Sequence, residues 1–451
     1  MSNAALSQID LQKIVDDAVA QGVAPGIQAV IFDKTGTVSS VAAGDATIAT
    51  ETDAAVPMTT STVAWMASCS KLSIAILALQ LLERKDLWKN PSEALTLDDI
   101  DNHEKLTKIL PEFALDNDDS LCTFVWNEPA FHDGTDEHGR RKLNVRKAKR
   151  GITLRHLFTH SSGLSYIFNE ENTCALENPG ESFKPHNGPS FTSGVINDHN
   201  VVLVNDPGAT IVYGPNTDFL GQFAVRASGK NLRQLLRERI FDPLGINKDD
   251  IDIFVEPQMG ARMATSTVRL PDGKFMSIPP FQLPMYEGDP PAGEGPLASA
   301  PILATTEAYS HVLRGVLSHN PAILSEATWQ LVSKEATEPE TKAPVPMFPK
   351  AVIPQFTNAF DTLYPHKEVA GTDKTYGFNL LQQYVPLTDL TTGRPAKTTF
   401  GWAGLANSYY TIDPENNFGF YVTCQLLPFA DPGVCKLRDQ IEAEIYSKLA
   451  K

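Results

Sequence analysis

From Leu72 to Leu82 the chain is apolar on nearly every side of a helix, interrupted only by Ser73 and Gln80. A helix without a polar face cannot lie on a surface, so the fold has to close around it. The chain has the means: 451 residues at 42% hydrophobic content can bury one large core or two fused ones. Its Gly and Pro contents are ordinary for a globular protein, so disorder is not the default state.

The segments around this helix can be placed by periodicity. Leu11, Ile14, Val15, Ala18 and Val19 recur at helical spacing until Gly22 and Pro25-Gly26 stop them, which predicts an amphipathic helix over about 7–21. Ile27 to Phe32 and Val38 to Ala43 flank Asp33-Lys34-Thr35-Gly36 and read as a β-hairpin. Near the other end, Ser408 to Ile412 and Phe418 to Leu427 read as strands, and Val434, Leu437, Ile441 and Ile445 mark a closing helix. Strands at both ends with helices outside them imply one antiparallel sheet assembled from early and late segments. The middle reads as helical and loop-rich, with further helices at Leu154 to Phe158, Phe219 to Ala227 and Leu232 to Ile240. The stretches 116–139 and 338–365 are long for plain connections and serve equally as lid candidates or as surface decoration.

Several function classes are excluded by charge and composition. A formal charge of −16 repels phosphate backbones and anionic lipid, which argues against nucleic acid and membrane as partners. One local exception is the run from Arg140 to Arg150, where Arg140, Arg141, Lys142, Arg146, Lys147, Lys149 and Arg150 are basic. It reads first as a solvated loop face and second as a docking site for an acidic or phosphorylated partner. Five cysteines, Cys69, Cys122, Cys174, Cys424 and Cys435, form no CxxC pair and no His/Cys cluster, so no metal site is expected. Their odd number, with no leader pattern and no apolar run of membrane-spanning length, fits a soluble cytoplasmic protein.

Ser68-Cys69-Ser70-Lys71 is the one Ser-x-x-Lys of the chain, set at the mouth of the all-apolar helix. Three-residue spacing puts Ser68 and Lys71 on one helix face. A lysine there is partly desolvated, which lowers its pKa from about 10.4 and frees an amine to act as a base. On these four residues alone, a Ser68 that caps the helix beside an exposed Lys71 is an equal reading.

The wider sequence resembles a known family. Trp65-Met66-Ala67-Ser68-Cys69-Ser70-Lys71 is similar to the first box of the serine β-lactamase and penicillin-binding-protein superfamily. Ile152 to Leu164, with Leu154-Arg155-His156-Leu157-Phe158-Thr159-His160-Ser161-Ser162-Gly163-Leu164 at its centre, resembles a segment of the class C branch. Asp206-Pro207-Gly208 and Tyr213-Gly214-Pro215-Asn216-Thr217-Asp218 resemble the second box, Phe241 to Ile246 and Gly293 to Leu297 resemble two structural landmarks, and Gly401-Trp402-Ala403-Gly404 falls where the family has its Lys-Thr-Gly strand.

This resemblance implies a β-lactamase/transpeptidase-like α/β (α+β) fold, an antiparallel sheet flanked by helices plus a helical lobe. Residues 5–67 and about 228–451 would form the α/β lobe and about 68–227 the helical lobe, with the site between them. It further implies that Ser68 attacks an acyl carbonyl, that Lys71 and Tyr213 share its proton, and that Tyr213 passes it to the leaving group. The backbone N–H groups of Ser68 and Leu405 would form the oxyanion hole, with Gly404 beside it, and no metal or organic cofactor is required. Two departures bear on substrate. Pro215 stands at the asparagine place of the second box, leaving Asn216 one position later as a candidate substrate-binding residue, and Trp402 stands where β-lactamases have lysine. These features are more similar to family VIII-type esterases and to fungal transesterases of the lovastatin side-chain acyltransferase kind, which Leu164-Ser165-Tyr166 and Tyr213-Gly214 also resemble. Trp402 would form an apolar wall for an acyl chain.

The expected activity is therefore serine-dependent acyl transfer, esterase or transesterase, on a small-molecule or secondary-metabolite ester or thioester. An acyl-carrier protein or coenzyme A would be the donor if transfer is the natural reaction. A β-lactamase or D-amino-acid peptidase-like hydrolase is the first alternative, and a catalytically silent binding module on the same fold the second. A Ser-His-Asp hydrolase lacks its Gly-x-Ser-x-Gly, and His156 and His160 are expected to pack or hydrogen-bond rather than catalyse. Cys69 is expected to point inward.

Overall fold

The computed structural model describes residues 4–127, 132–135, 141–166, 201–278, 297–345, 347, 357–358, 363–371 and 374–450, with the side chains of 132–135 and 141–143 excepted. The landmark residues Gly293 to Pro296, Cys174, Arg140 and much of both long stretches lie outside the described residues.

The first helix, α1 (Leu11–Ala20), starts on Asp10, whose carboxylate accepts the Lys13 N–H. The predicted hairpin follows as β1 (Gly26–Asp33) and β2 (Gly36–Thr47). Asp33 fixes its turn: Oδ1 accepts from the Thr35 N–H at 2.7 Å, the Thr35 hydroxyl at 2.5 Å and the Gly36 N–H at 3.2 Å, an aspartate-centred turn that stands in for a backbone one. Short strands β3 (Val56–Pro57) and β4 (Val63–Trp65) lead into a 3-10 turn, Ala67–Ser70, and then the apolar helix α2 (Lys71–Glu83).

Every residue of α2 except Glu83 is buried, as its composition requires. Its one large polar side chain in mid-helix, Gln80, is accommodated by donating to the Arg239 and Ile323 carbonyls at 3.1 and 2.8 Å. Helix α3 (Leu154–Phe158) opens on a Thr153–His156 capping pair, and α4 (Asn216–Ser228) packs along α2. The helix expected at Leu232 to Ile240 is α-helical only through Leu236 and continues as a π-helical turn, Arg237–Phe241.

Strand β5 (Ile251–Asp252) and β6 (Leu303–Thr305) pair with β4 in the order β4-β6-β5, and α5 (Thr306–Leu317) follows at once, capped by Thr305. The late strands of the large sheet are β7 (Tyr376–Phe378), β8 (Tyr384–Pro386), β9 (Phe400–Gly404), β10 (Ser408–Asp413) and β11 (Phe418–Thr423), followed by helix α6 (Pro432–Leu449). They join the hairpin in one eight-stranded sheet of order β7-β8-β9-β10-β11-β1-β2-β3. Its centre is the antiparallel pair β1–β11, with Gln28 opposite Thr423 and Phe32 opposite Gly419. All eight residues of β1 are buried although successive side chains point to opposite faces, so both faces of the sheet are covered there. Helix α5 packs on β1, β2 and β11, while α1 packs on β1 and β2 and touches α6.

An antiparallel sheet built from early and late segments and flanked by helices is the arrangement that the family resemblance implied. One strand differs from its expected extent: the run to Leu427 breaks after Thr423, where Gln425 turns into left-handed backbone, φ 49°. Its side chain thereby reaches Trp65 of β4, accepting from its N–H and donating to its carbonyl, both at 3.0 Å. Among the described residues no helix is long and apolar enough to cross a membrane.

Candidate active site

The segment that presents Ser68 is held from several sides. Met66 donates its N–H to the Ile302 carbonyl at 2.9 Å, and the Ser70 hydroxyl accepts from the Ile302 N–H at 3.0 Å. From the large sheet, Tyr421 donates to Met66 Sδ at 3.1 Å, and from α5 Tyr309 donates to the Cys69 carbonyl at 2.7 Å. Ala67, immediately before Ser68, has φ 47°. Left-handed backbone costs an alanine on the order of 1–2 kcal/mol, and the surrounding bonds hold it there.

The helix-capping reading of Ser68 does not hold, because the residue preceding α2 is Ser70 and its side chain makes no capping bond. Lys71 is not exposed either; it is 1% accessible. Its Nζ lies 3.2 Å from Ser68 Oγ, 3.0 Å from the Ser299 carbonyl and 3.4 Å from the Tyr166 hydroxyl. Burial lowers the pKa of the ammonium to about 7, against the opposing pull of the Asp218 carboxylate. Tyr213 donates its hydroxyl to Ser68 Oγ at 2.7 Å. Burial raises the Tyr213 phenol above its ordinary value, with the Ser68 hydrogen bond acting against that rise. The three groups expected to work together therefore meet: an amine that can be neutral near pH 7, a protonated phenol, and a serine between them.

Tyr213 reaches this position because Gly214 lets its backbone press against Leu164. A Cβ at Gly214 would stand 2.0 Å from the Leu164 carbonyl oxygen. On the other side, Gly404 ends β9 against the Ser68 turn; a Cβ there would stand 2.6 Å from the Met66 carbonyl oxygen. Leu405, next in the chain, packs against the apolar cluster that contains Trp65 and Ala67. Trp402 is 2% accessible, its ring centre 5.3 Å from that of Tyr213 and 5.2 Å from that of Phe378. His160 fills the space between these rings, 5.1 Å from Tyr213 and stacked 6.0 Å from Trp402.

Asn216, a candidate for substrate binding, is placed elsewhere. It is fully buried, accepts from the Ser162 hydroxyl at 2.5 Å and pairs with His160 Nδ1 at 3.1 Å, so it positions the His160 ring. Both histidines pack and hydrogen-bond as expected, His156 by accepting the Thr153 N–H at 3.1 Å. Cys69 is buried, and burial raises its thiol well above the ordinary value. The described part of the basic run is already paired: Arg146 with Asp206 at 2.7 Å, Lys147 with Asp118 at 2.7 Å and Arg150 with Glu338 at 2.8 Å. Among the described residues no group of three or more His, Cys, Asp or Glu side chains is placed to hold a metal ion.

Three members of the site had no assigned role in the sequence. Tyr166 contacts Lys71 and donates to the Ser299 hydroxyl at 3.0 Å. Ser299 in turn donates to Asp218, which is 1% accessible and also accepts the backbone N–H groups of Ala298 and Ser299 at 2.7 and 2.9 Å. Tyr166 and Asp218 stand inside motifs quoted above, but nothing local marks a tie to Ser299, 81 residues beyond Asp218.

Over most of its length the chain is similar to known proteins. The β-lactamase family model matches residues 11–441. Monacolin J acid methylbutanoyltransferase of Aspergillus terreus is 28% identical over 398 residues, 87% of this chain and 84% of that one. Lovastatin esterase of Penicillium rubens is 25% identical over 87% of each chain. The structure of an Aspergillus terreus simvastatin synthase mutant superposes with TM-score 0.70 at 26% identity, covering 98% of both chains. EstCE1, described as a hydrolase with promiscuous acyltransferase activity, shares the fold, with TM-score 0.64 at 17% identity over 98% of both chains. With the family model spanning nearly its whole length, the chain belongs to the β-lactamase family and is an enzyme of the serine acyl-transfer and hydrolase type.

Proposed function

We propose that the protein transfers or hydrolyses the acyl group of a small-molecule, secondary-metabolite ester or thioester through an acyl-enzyme on Ser68. The observation that carries this is the placement of Ser68 Oγ 3.2 Å from a buried Lys71 amine and 2.7 Å from the Tyr213 hydroxyl. In the forward step Ser68 attacks the acyl carbonyl while its proton passes to Lys71. The Ser68 and Leu405 N–H groups receive the oxyanion. The leaving alcohol or thiol takes a proton from Tyr213, and the proton carried by the Lys71 ammonium restores the phenol and leaves the amine neutral. The acyl-enzyme then passes its acyl group to water or to a second alcohol.

Trp402, expected as an apolar wall for the acyl chain, is 2% accessible and packs with His160, Tyr213 and Phe378, so it backs the site with apolar bulk and carries no charge into it. Position 402 supplies no cation for a β-lactam carboxylate, and Pro215 has no amide to offer the antibiotic's side chain. Ester chemistry is favoured over penicillin hydrolysis for that reason. The similar fungal enzymes named for methylbutanoyl transfer and for lovastatin ester hydrolysis support both fates of the acyl group. A coenzyme A or carrier-bound thioester is the donor class for the transfer reaction. Docking of a carrier is not assigned to residues 146–150, whose cations are engaged by acids of the same chain.

The test is a burst experiment with a short-chain p-nitrophenyl ester, following intact mass. The wild type should give a burst and one acyl adduct on Ser68, and Ser68→Ala neither. Added alcohols should divert product from acid to ester if transfer is competent. No burst and no adduct across several acyl lengths and thioesters would leave the binding-module reading.

A further inference from the structure

We propose that Asp218, acting through Ser299 and Tyr166, fixes the direction in which Lys71 presents its lone pair, and so aims the amine at Ser68. This rests on the acyl-enzyme reading above. The argument is one of donors and acceptors. Asp218 accepts three bonds, from two backbone N–H groups and from the Ser299 hydroxyl, and as a carboxylate it has no proton to give back. The Ser299 proton is therefore committed to Asp218, and Ser299 Oγ can only accept from its other neighbour. That neighbour is Tyr166, whose O–H donates to it at 3.0 Å. With its own proton committed, the Tyr166 oxygen meets Lys71 Nζ at 3.4 Å as an acceptor.

The Ser299 carbonyl, 3.0 Å from Nζ, is an acceptor by nature. A neutral amine has two N–H bonds and one lone pair. Both N–H bonds are claimed, one by the Ser299 carbonyl and one by Tyr166, and the remaining direction is Ser68 Oγ at 3.2 Å. The lone pair points at the proton it has to remove. Asp218, Ser299 and Tyr166 are thus positioning residues, and a single buried charge sets the sense of the whole chain of hydrogen bonds.

The geometry supplies its own test, because Asp218→Asn should reverse the chain. Oδ1 faces two backbone N–H groups, so the amide oxygen of the variant must sit there and its amino group must face Ser299 Oγ. Ser299 then accepts from that amino group and donates to Tyr166, and Tyr166 donates to the Lys71 lone pair, drawing it away from Ser68. With Tyr166→Phe the message has no carrier.

The experiment compares wild type, Asp218→Asn, Tyr166→Phe and the double variant by the rate at which a fluorophosphonate labels Ser68 between pH 5.5 and 9, with thermal unfolding as a check on fold. Asp218→Asn should slow labelling by about 30-fold or more and move the acid limb of the rate profile to lower pH. In the Tyr166→Phe background the same change should cost less than about threefold. Equal costs in the two backgrounds, or an unmoved acid limb, would overturn the proposal while leaving the acyl-enzyme reading intact. Failure of the wild type to label Ser68 would remove that reading and this one together. Should Asp218→Asn not fold, Ser299→Ala replaces it: its cost should vanish in the Tyr166→Phe background, and an undiminished cost overturns the proposal.

Discussion

At the scale of single residues the site is a balance between burial and partners. Lys71 is deep enough for its pKa to fall to about 7, and Asp218 keeps it from falling further. With the neutral Lys71 amine as the base, as proposed, the acylation rate should rise with pH through about 7 and level off above it. The pH dependence of the burst rate checks this. A profile flat from pH 5.5 to 8 would mean that Lys71 is not the titrating base. Ser68, Lys71 and Tyr213 were legible in the sequence because two of them share a helix face and the third sits in a recognisable box. Tyr166, Ser299 and Asp218 were not, because their placement comes from hydrogen bonds that span 133 and 81 residues and leave no periodic trace. Asn216 is the converse case: a polar residue inside a motif suggests a face toward substrate, but its amide is spent inside on Ser162 and His160.

Among the elements, β9 does most to shape the site. It carries Trp402, ends at Gly404 against the Met66 carbonyl, and leads to Leu405. Gly404→Ala would put a methyl 2.6 Å from that oxygen, and neither backbone is free to yield. The strand end should move away from Ser68 and take the Leu405 N–H with it. The expected outcome is a fall of about 10²-fold in kcat for p-nitrophenyl ester turnover, out of proportion to any rise in KM, since an oxyanion donor acts in the transition state. Unchanged kcat would show that Leu405 is not that donor. Helix α2 was legible to within a residue or two because its burial is written in its composition. The end of β11 was not: alternation alone carries it to Leu427, and the break at Gln425 comes from the need to hold Trp65, 360 residues earlier.

Over the whole molecule, distant segments are tied by buried polar groups as well as by the sheet. His156 on α3 faces Glu338, 3.3 Å from its Nε2, with Arg150 on the same carboxylate and Asp101 nearby. Burial holds the His156 imidazole down at about 4, from an ordinary 6.5, and the Glu338 carboxyl is held below its ordinary value by Arg150 and His156. Between about pH 6.5 and 4 the unfolded chain binds more protons than the folded one, so stability should fall as pH falls through that window. Unfolding midpoints across it test this, and His156→Gln should flatten the slope; an unaltered slope would place the acid sensitivity elsewhere. The sheet order was foreseeable only in outline, since no local pattern says that β1 pairs with β11. That pairing has a consequence for biosynthesis. When β1 leaves the ribosome one edge of it has no neighbour, and its partner strand follows roughly 400 residues later, on the order of 20–80 s at ordinary elongation rates. Until then a largely apolar strand offers an open edge to any other chain. Yield from a host should therefore depend on elongation speed and chaperone supply more than on the stability of the finished enzyme.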